Sequence, residues 1–120
     1  MLDRLGAVGT EQWKVWVMYM QRVRIYPQQG KEREVRQLIE SRLQTGQALG
    51  RKVGLSTQLF APEGVVFIIT VRLNDLAELE QQRQRDRTDQ AFQDYVGKLG
   101  ALSHRPATLE LLEVLVPLPS

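Results

Sequence analysis

Two arginines fall where the pattern of this chain favours apolar side chains. Arg42 lies among the apolar residues that recur every three or four positions in 35–49, and Arg83 lies on the stripe of Leu76 and Leu79. A guanidinium on an apolar helix face is costly to bury unless an anion pairs with it. Both arginines are therefore candidates for holding a carboxylate or an enolate.

The partner of Arg42 has more than one candidate in the sequence. Glu113 interrupts the alternating leucines Leu109, Leu111 and Leu115, and its carboxylate is one candidate. A carboxylate or enolate of a bound ligand is another. The structural interpretation is favoured, in which Arg42 pairs within the protein or extends its stem along apolar surface.

Two tyrosines and the single histidine complete the set of candidates. Tyr19 and Tyr95, together with Gln21, suit a mostly apolar cavity that needs a few polar groups, although each also fits a hydrogen-bonded core position. His104 could serve as a general base, but a surface or hydrogen-bonding role is favoured. The candidate ligand-binding residues are Arg42, Arg83, Tyr19, Tyr95, Glu113 and His104.

No catalytic motif accompanies these residues. The chain lacks a phosphate-binding glycine loop, an HExxH sequence and a nucleophile elbow. One histidine without any cysteine cannot by itself build a transition-metal site, and no pair of groups forms a recognisable acid–base couple. No catalytic residue is assigned, and neither a metal nor a cofactor is expected.

The composition is typical of one globular domain. The 120 residues are 42% hydrophobic, and 16 basic against 14 acidic residues give a net charge of only +2, which argues against a nucleic-acid partner. No segment reaches the roughly 18 apolar residues of a membrane span, and the absence of cysteine fits the cytoplasm. We expect a loosely ordered leader over 1–12 and a single domain over 13–120.

Periodicity assigns the elements that must position the candidate residues. Alternation and β-branched residues predict strands, three-to-four spacing predicts helices, and proline and glycine mark the turns. The spacing of Asp75 and Glu78 predicts a capping box at the start of the second helical region, and Gly97, Gly100 and Pro106 are expected to end that region. Strands are predicted over 13–26, 52–61, 65–73 and 108–116, with the first helix over 35–49.

The second helical region changes its apolar face part-way along. Leu76 and Leu79 lie on a face that is rotated by roughly 150° from the one carrying Phe92 and Tyr95. One straight helix cannot bury both, so a break is predicted near 85–88, with Asp86 or Thr88 as the cap of a second segment. A phase slip in one solvent-facing helix is the alternative.

The element order is βαββαβ, which predicts an α+β, ferredoxin-like plait: a four-stranded antiparallel sheet with both helices on one face. The strands are nevertheless apolar on both faces; strand 3, for example, places Phe67 and Ile69 on one side and Val66 and Ile68 on the other. An open face of this kind is expected to be aliphatic and buried against a second copy of the chain, because exposure would cost several kcal/mol at about 25 cal/mol per Å².

Across residues 14–117 the pattern resembles the dimeric α/β-barrel superfamily, which includes the antibiotic-biosynthesis monooxygenases and the NIPSNAP-like proteins. The matching features are the first strand running into Tyr26-Pro27-Gln28-Gln29-Gly30-Lys31, the 60–71 hairpin, and the segments LNDLAELE, DQAFQDYVGKLG and LELLEVLVP. The resemblance implies a homodimer whose sheets pack into a barrel, with a ligand cavity in each subunit between sheet and helices.

The resemblance also frames two functions. One is a cofactor-independent oxygenase or isomerase that acts on a small apolar or aromatic molecule; the other is a non-catalytic ligand-binding or assembly module. The haem-degrading members use a helical histidine, whereas His104 here lies in a turn before Pro106. The sequence does not name a substrate.

Overall fold

The computed structural model describes residues 18–116. The predicted leader and the first part of strand 1, which contains Trp13 and Trp16, lie outside these residues. The elements are β1 Met18–Ile25, α1 Glu32–Ala48, β2 Lys52–Gln58, β3 Val66–Leu73, α2 Leu76–Thr88, α3 Gln90–Ala101 and β4 Thr108–Val114.

The four strands form one antiparallel sheet in the order β2-β3-β1-β4. The predicted α+β, ferredoxin-like arrangement is therefore confirmed. Strands 2 and 4 are shorter than predicted: β2 ends at Gln58, where the chain bends into the hairpin, and β4 ends at Val114. The helix side of the sheet carries the core, in which Val35 and Ile39 of α1 pack fully buried with Ile25 and Phe67.

The face away from the helices is more polar than expected. Residues directly opposite each other in antiparallel strands share a face, and Met20 of β1 lies between Leu112 of β4 and Arg72 of β3. The prediction of an aliphatic face is wrong in this respect, because the same alternation that exposes the methionines also exposes arginines. The residues of this open face on the two central strands are Met18, Met20, Arg22, Arg24, Val66, Ile68, Thr70 and Arg72.

An ion pair partly neutralises the open face. The Nε of Arg24 donates to Oε1 of Glu110 at 2.9 Å, and its Nη1 donates to Oε1 of Gln58 at 3.0 Å. The guanidinium thus links β1 to both outer strands of the sheet. Apolar residues remain beside it on the same face, among them Ile68 and Leu112, both half-buried.

The predicted break in the second helical region is present at Asp89, between α2 and α3. Asp89 has an extended backbone, and its Oδ1 accepts a hydrogen bond from the N–H of Phe92 at 3.2 Å, so it is the N-cap of α3. The prediction that Asp86 or Thr88 forms the cap is wrong. Both remain inside α2, where the Thr88 hydroxyl donates to the carbonyl of Arg85.

The predicted start of this helical region is confirmed, whereas its predicted end is not. The N–H of Glu78 donates to Oδ1 of Asp75 at 2.8 Å, and Oε2 of Glu78 accepts from the N–H of Asn74 at 2.9 Å, which confirms the cap at Asp75. The glycines do not end α3, since the helix continues through Gly97 and Gly100 to Ala101. Neither position has a positive φ, so each glycine simply extends the helical backbone.

Candidate ligand-binding cavity

A cavity of about 900 Å³ lies on the helix side of the sheet. It exists because the helices pack mainly on β2 and β3, and the β4 half of the same face stays largely uncovered. Leu109 and Leu111 show this directly: both point to the helix side, opposite Val23 and Gln21, yet they are 53% and 46% exposed. The cavity is therefore half-open along β4.

The strands supply an apolar floor to the cavity, and the helices supply most of its polar groups. Gln21 is the exception on the floor, as the one polar side chain from β1 that lines the cavity. The apolar floor residues are Val23, Ile25, Val53, Ile69, Val71 and Leu109. Leu43, Phe92, Val96 and Leu99 add apolar surface from α1 and α3.

Arg42 of α1 is held at the cavity wall by the segment that joins α2 to α3. Its Nη2 donates to Oδ2 of Asp89 at 3.2 Å, and its guanidinium lies over the Phe92 ring, 5.2 Å from the centroid. Asp89, and not Glu113, is therefore the protein partner of Arg42. The N–H of Phe92, and secondarily Arg42, lower the pKa of Asp89, although desolvation opposes them.

The carboxyl group of Asp86 in α2 is partly buried, and few interactions offset the cost of burying its charge. Its Oδ1 is sealed from solvent and accepts no hydrogen bond, and the nearest cation is Nη2 of Arg51 at 3.8 Å. An ion pair usually lowers a carboxyl pKa, but here burial raises the pKa of Asp86, and Arg51 and Arg42 offset that effect only in part. The long distance to Arg51 explains why desolvation prevails.

Tyr95 of α3 brings a neutral hydroxyl to the same cavity. Burial raises the pKa of Tyr95 to about 12, with a smaller opposing effect from Arg42. No hydrogen bond joins its hydroxyl to any part of the chain that the structure describes. At neutral pH the phenol can therefore donate a hydrogen bond to a bound molecule, and it cannot act as a base.

The structure brings four of the six predicted site residues to this cavity, namely Arg42, Arg83, Tyr95 and His104. Tyr19 and Glu113 do not line it. They face each other across β1 and β4, where Tyr19 packs beside the cluster of Val71, Leu73 and Leu79, and Glu113 is exposed.

His104 lies at the exposed edge of the cavity. Its backbone N–H donates to the carbonyl of Tyr26 at 2.9 Å, and the two rings are 6.0 Å apart. Arg83 is also exposed, contrary to the expected stripe with Leu76 and Leu79. The buried residues of α2 are Leu79 and Gln82, because the helix faces the sheet through a partly polar stripe.

Several cavity residues escaped the sequence pattern. Gln82 and Asp86 follow Leu79 at helical spacing, but their polarity hides them from a search for apolar periodicity. Arg51 stands two residues before the inward-facing Val53, so strand alternation would have placed it on the helix side. Asp89 is a residue type that favours the N-cap, but Asp86 and Thr88 are candidates of the same kind, so the sequence did not single it out.

The described part of the chain holds neither a cluster of metal ligands nor a helix fit to cross a membrane. Among residues 18–116, no three His, Asp or Glu side chains come together in a group that could hold a metal ion. None of the helices in this range combines the length and apolar character that crossing a membrane requires.

Solved structures with this architecture come from several bacteria. A Caulobacter crescentus protein provisionally named an antibiotic biosynthesis monooxygenase superposes with a TM-score of 0.65 at 12% identity, covering 90% of this chain and 99% of its own. The chain has a ferredoxin-like fold. The resemblance drawn from the sequence is thereby confirmed at the level of fold.

Two further structures are similar. A NIPSNAP family protein from Agrobacterium tumefaciens gives a TM-score of 0.64 at 20% identity, over 79% of this chain and 90% of its own. A protein of unknown function from Nitrosomonas europaea gives 0.61 at 20% identity, over 88% and 98%. No family model matches this ferredoxin-like chain, and no curated protein matches it.

Proposed function

We propose that this ferredoxin-like protein binds a small, mostly apolar or aromatic molecule in the cavity between its sheet and helices. The observation that carries the proposal is the cavity itself, with a volume of about 900 Å³, an apolar floor and a few polar groups from the helices. Sites for small molecules have this size, roughly 300–1,000 Å³, and this mixture of surfaces.

We also propose that the bound molecule reacts by cofactor-independent oxygenation or isomerisation. Both reactions develop negative charge on a substrate oxygen, and preorganised donors stabilise such charge. Arg42 and the neutral hydroxyl of Tyr95 reach one cavity from α1 and α3. The name of one similar structure, provisionally an antibiotic biosynthesis monooxygenase, accords with small-molecule chemistry.

The second candidate is a non-catalytic ligand-binding or assembly module. It is favoured by the ion pair of Arg42 with Asp89, which occupies one donor of the guanidinium and serves structure as well as binding. Turnover of a bound compound under air distinguishes the two candidates, with oxygenation followed by mass spectrometry and isomerisation by chromatography or NMR. A compound that binds and returns unchanged supports the module.

The unit of function in this proposal is a homodimer formed through the open sheet face. Support comes from half-buried apolar residues on the face away from the helices of residues 18–116, which include Met18, Met20, Ile68, Leu112 and Val114. Two such sheets packed face to face would bury these side chains about a two-fold axis. The arginines of the same face would then pair at its edges or with Glu110.

A ligand-exposure screen read by thermal shift tests the binding proposal. A compound present at one hundred times its Kd adds about 2.7 kcal/mol to the stability of the folded state. The variant Val96→Trp should narrow the cavity and reduce the shift. Val65→Trp is the matched control, because Val65 is 40% exposed against 45% for Val96 but does not line the cavity. Equal shifts in both variants would contradict the proposed site.

A further inference from the structure

Arginine is over-represented on the cavity wall. Among residues 18–116, five arginines line the cavity, and Asp86 is the one acidic residue in this range that lines it with them. They arrive from four separate parts of the fold: α1, the start of β2, α2 and the connection before β4. The five are Arg42, Arg51, Arg83, Arg87 and Arg105. Convergence from four segments makes this a property of the site and not of one solvated helix face.

The carboxylates near these arginines neutralise them only in part. Arg51 is 3.8 Å from Oδ1 of Asp86, and Nη1 of Arg105 is 3.7 Å from Oε1 of Glu63, both longer than a hydrogen bond. Arg83 and Arg87 have no carboxylate oxygen within 4 Å among residues 18–116. The cavity wall therefore carries net positive charge.

Arg42 is prepared to receive an oxyanion. One of its five N–H donors binds Asp89, and no other hydrogen bond joins its side chain to the described residues. The Asp89 contact and the Phe92 ring fix the plane of the guanidinium, so the remaining donors need little ordering when a ligand binds. Its side chain is 21% exposed, which leaves it less screened than a surface arginine.

The strand floor of the cavity is almost wholly apolar, whereas the helix side combines apolar residues with three of the five arginines. The strands present valine, isoleucine and leucine, whereas Arg42, Arg83 and Arg87 come from the helices opposite. A ligand that satisfies both sides has an apolar body against the sheet and an anionic group toward the helices. An uncharged apolar molecule would leave most N–H donors of these guanidinium groups without an acceptor.

We propose that the ligand of this cavity is an amphipathic oxyanion, whose carboxylate or phosphate group binds at Arg42 and Arg51 while its apolar body lies on the strands. This inference rests on the proposed function only in that both require the cavity to bind a small molecule. The inference specifies that the ligand is anionic, which the apolar floor of the cavity does not predict.

Four naphthalene derivatives test the proposal, because they share one body and differ in charge. Binding of 2-naphthoate, 2-naphthyl phosphate, methyl 2-naphthoate and 2-naphthylmethylamine is measured by calorimetry, and by displacement of Nile red, an uncharged apolar dye. We expect at least one of the two anions to bind ten times more tightly than the ester, and the amine to bind most weakly. The comparison of naphthoate with naphthyl phosphate identifies the head group.

Variants locate the charged contact. Arg42→Gln and Arg51→Gln should each weaken the preferred anion about ten- to hundredfold, the range for a lost hydrogen bond to a charged group. Binding of the ester and of Nile red should stay unchanged, which also shows that each variant is folded. Arg36→Gln is the matched control: it removes the same charge from α1, where Arg36 pairs with Glu40 away from the cavity, and should leave anion binding intact.

The outcomes separate this inference from the proposed function. Binding of Nile red and the ester at least as tight as that of both anions would overturn the anionic ligand and leave the small-molecule site standing. Failure of all four compounds and of the dye to bind would overturn both. An equal loss of anion affinity in Arg36→Gln would show general electrostatic attraction, and would overturn binding at Arg42 and Arg51.

Discussion

Single ionisable groups around the cavity owe their behaviour to burial as much as to pairing. The pKa of Asp86 is raised and that of Asp89 is lowered, although the two carboxyl groups lie three positions apart and both face arginines. The difference is hydrogen bonding. The N–H of Phe92 stabilises the charged form of Asp89, whereas Oδ1 of Asp86 accepts no hydrogen bond.

Asp86 should make stability fall as pH rises. Because its pKa is higher in the folded protein than the ordinary value of 3.8, the folded state holds the proton longer than the unfolded chain does. The favourable contribution is complete below pH 3.8 and is lost as pH rises through the raised pKa. Asp86→Asn should therefore gain stability relative to wild type across that window. Urea unfolding at a series of pH values checks this, and a pH-independent difference would refute it.

The hydroxyl of Tyr95 should titrate near pH 12. Absorbance at 295 nm, recorded during alkaline titration, should lose this transition in Tyr95→Phe and keep it in Tyr19→Phe. The raised pKa also predicts that the contribution of Tyr95 to folding is present below pH 10 and is lost between 10 and about 12. A Tyr95 transition at pH 10 in the folded protein would show that the phenol is not buried.

At the scale of elements, the junction at Asp89 couples helix capping to the cavity. Asp89→Ala should lower the melting temperature and also disorder Arg42, because one carboxylate caps α3 and holds the guanidinium. Asp89→Asn keeps a capping oxygen but loses the charge, so its melting temperature should lie between those of wild type and alanine. Calorimetry measures both. The difference in melting temperature between wild type and Asp89→Asn should narrow as pH falls, since acid protonates Asp89. Equal melting temperatures for Asp89→Asn and Asp89→Ala would contradict the cap.

Apolar periodicity predicts the elements well and the polar interior poorly. The order of the strands, the cap at Asp75 and the break before α3 follow from spacing alone. The inward positions of Gln82 and Asp86 do not follow from spacing, because the sequence alone does not distinguish a buried polar residue from an exposed one. Asp89 is the cap because its backbone is extended. The sequence does not show this, because Asp86 and Thr88 have a similar preference for the N-cap position. Pairing of Arg42 with Asp89 required the tertiary fold.

At the scale of the whole molecule, association should depend on the centre of the open face. Wild-type protein at micromolar concentration should sediment at about twice 13.8 kDa. Met20→Asp places a charge between Leu112 and Arg72 and should shift the equilibrium toward monomer. Gln44→Asp adds the same charge to an exposed position of α1 and should leave the dimer intact. A soluble wild-type monomer would refute the interface.

The uncovered β4 half of the helix side has a kinetic consequence. Leu109, which lines the cavity, and Leu111, on the same face of β4, are about half exposed, so a ligand can reach the floor without displacing a helix. Association should then proceed without a slow opening step, at the rates of about 10⁵–10⁷ M⁻¹s⁻¹ that orientation alone permits, or faster for an anion drawn by the arginines. How long a molecule stays would be decided by the strength of its contacts, since no helix of residues 18–116 closes over the β4 side.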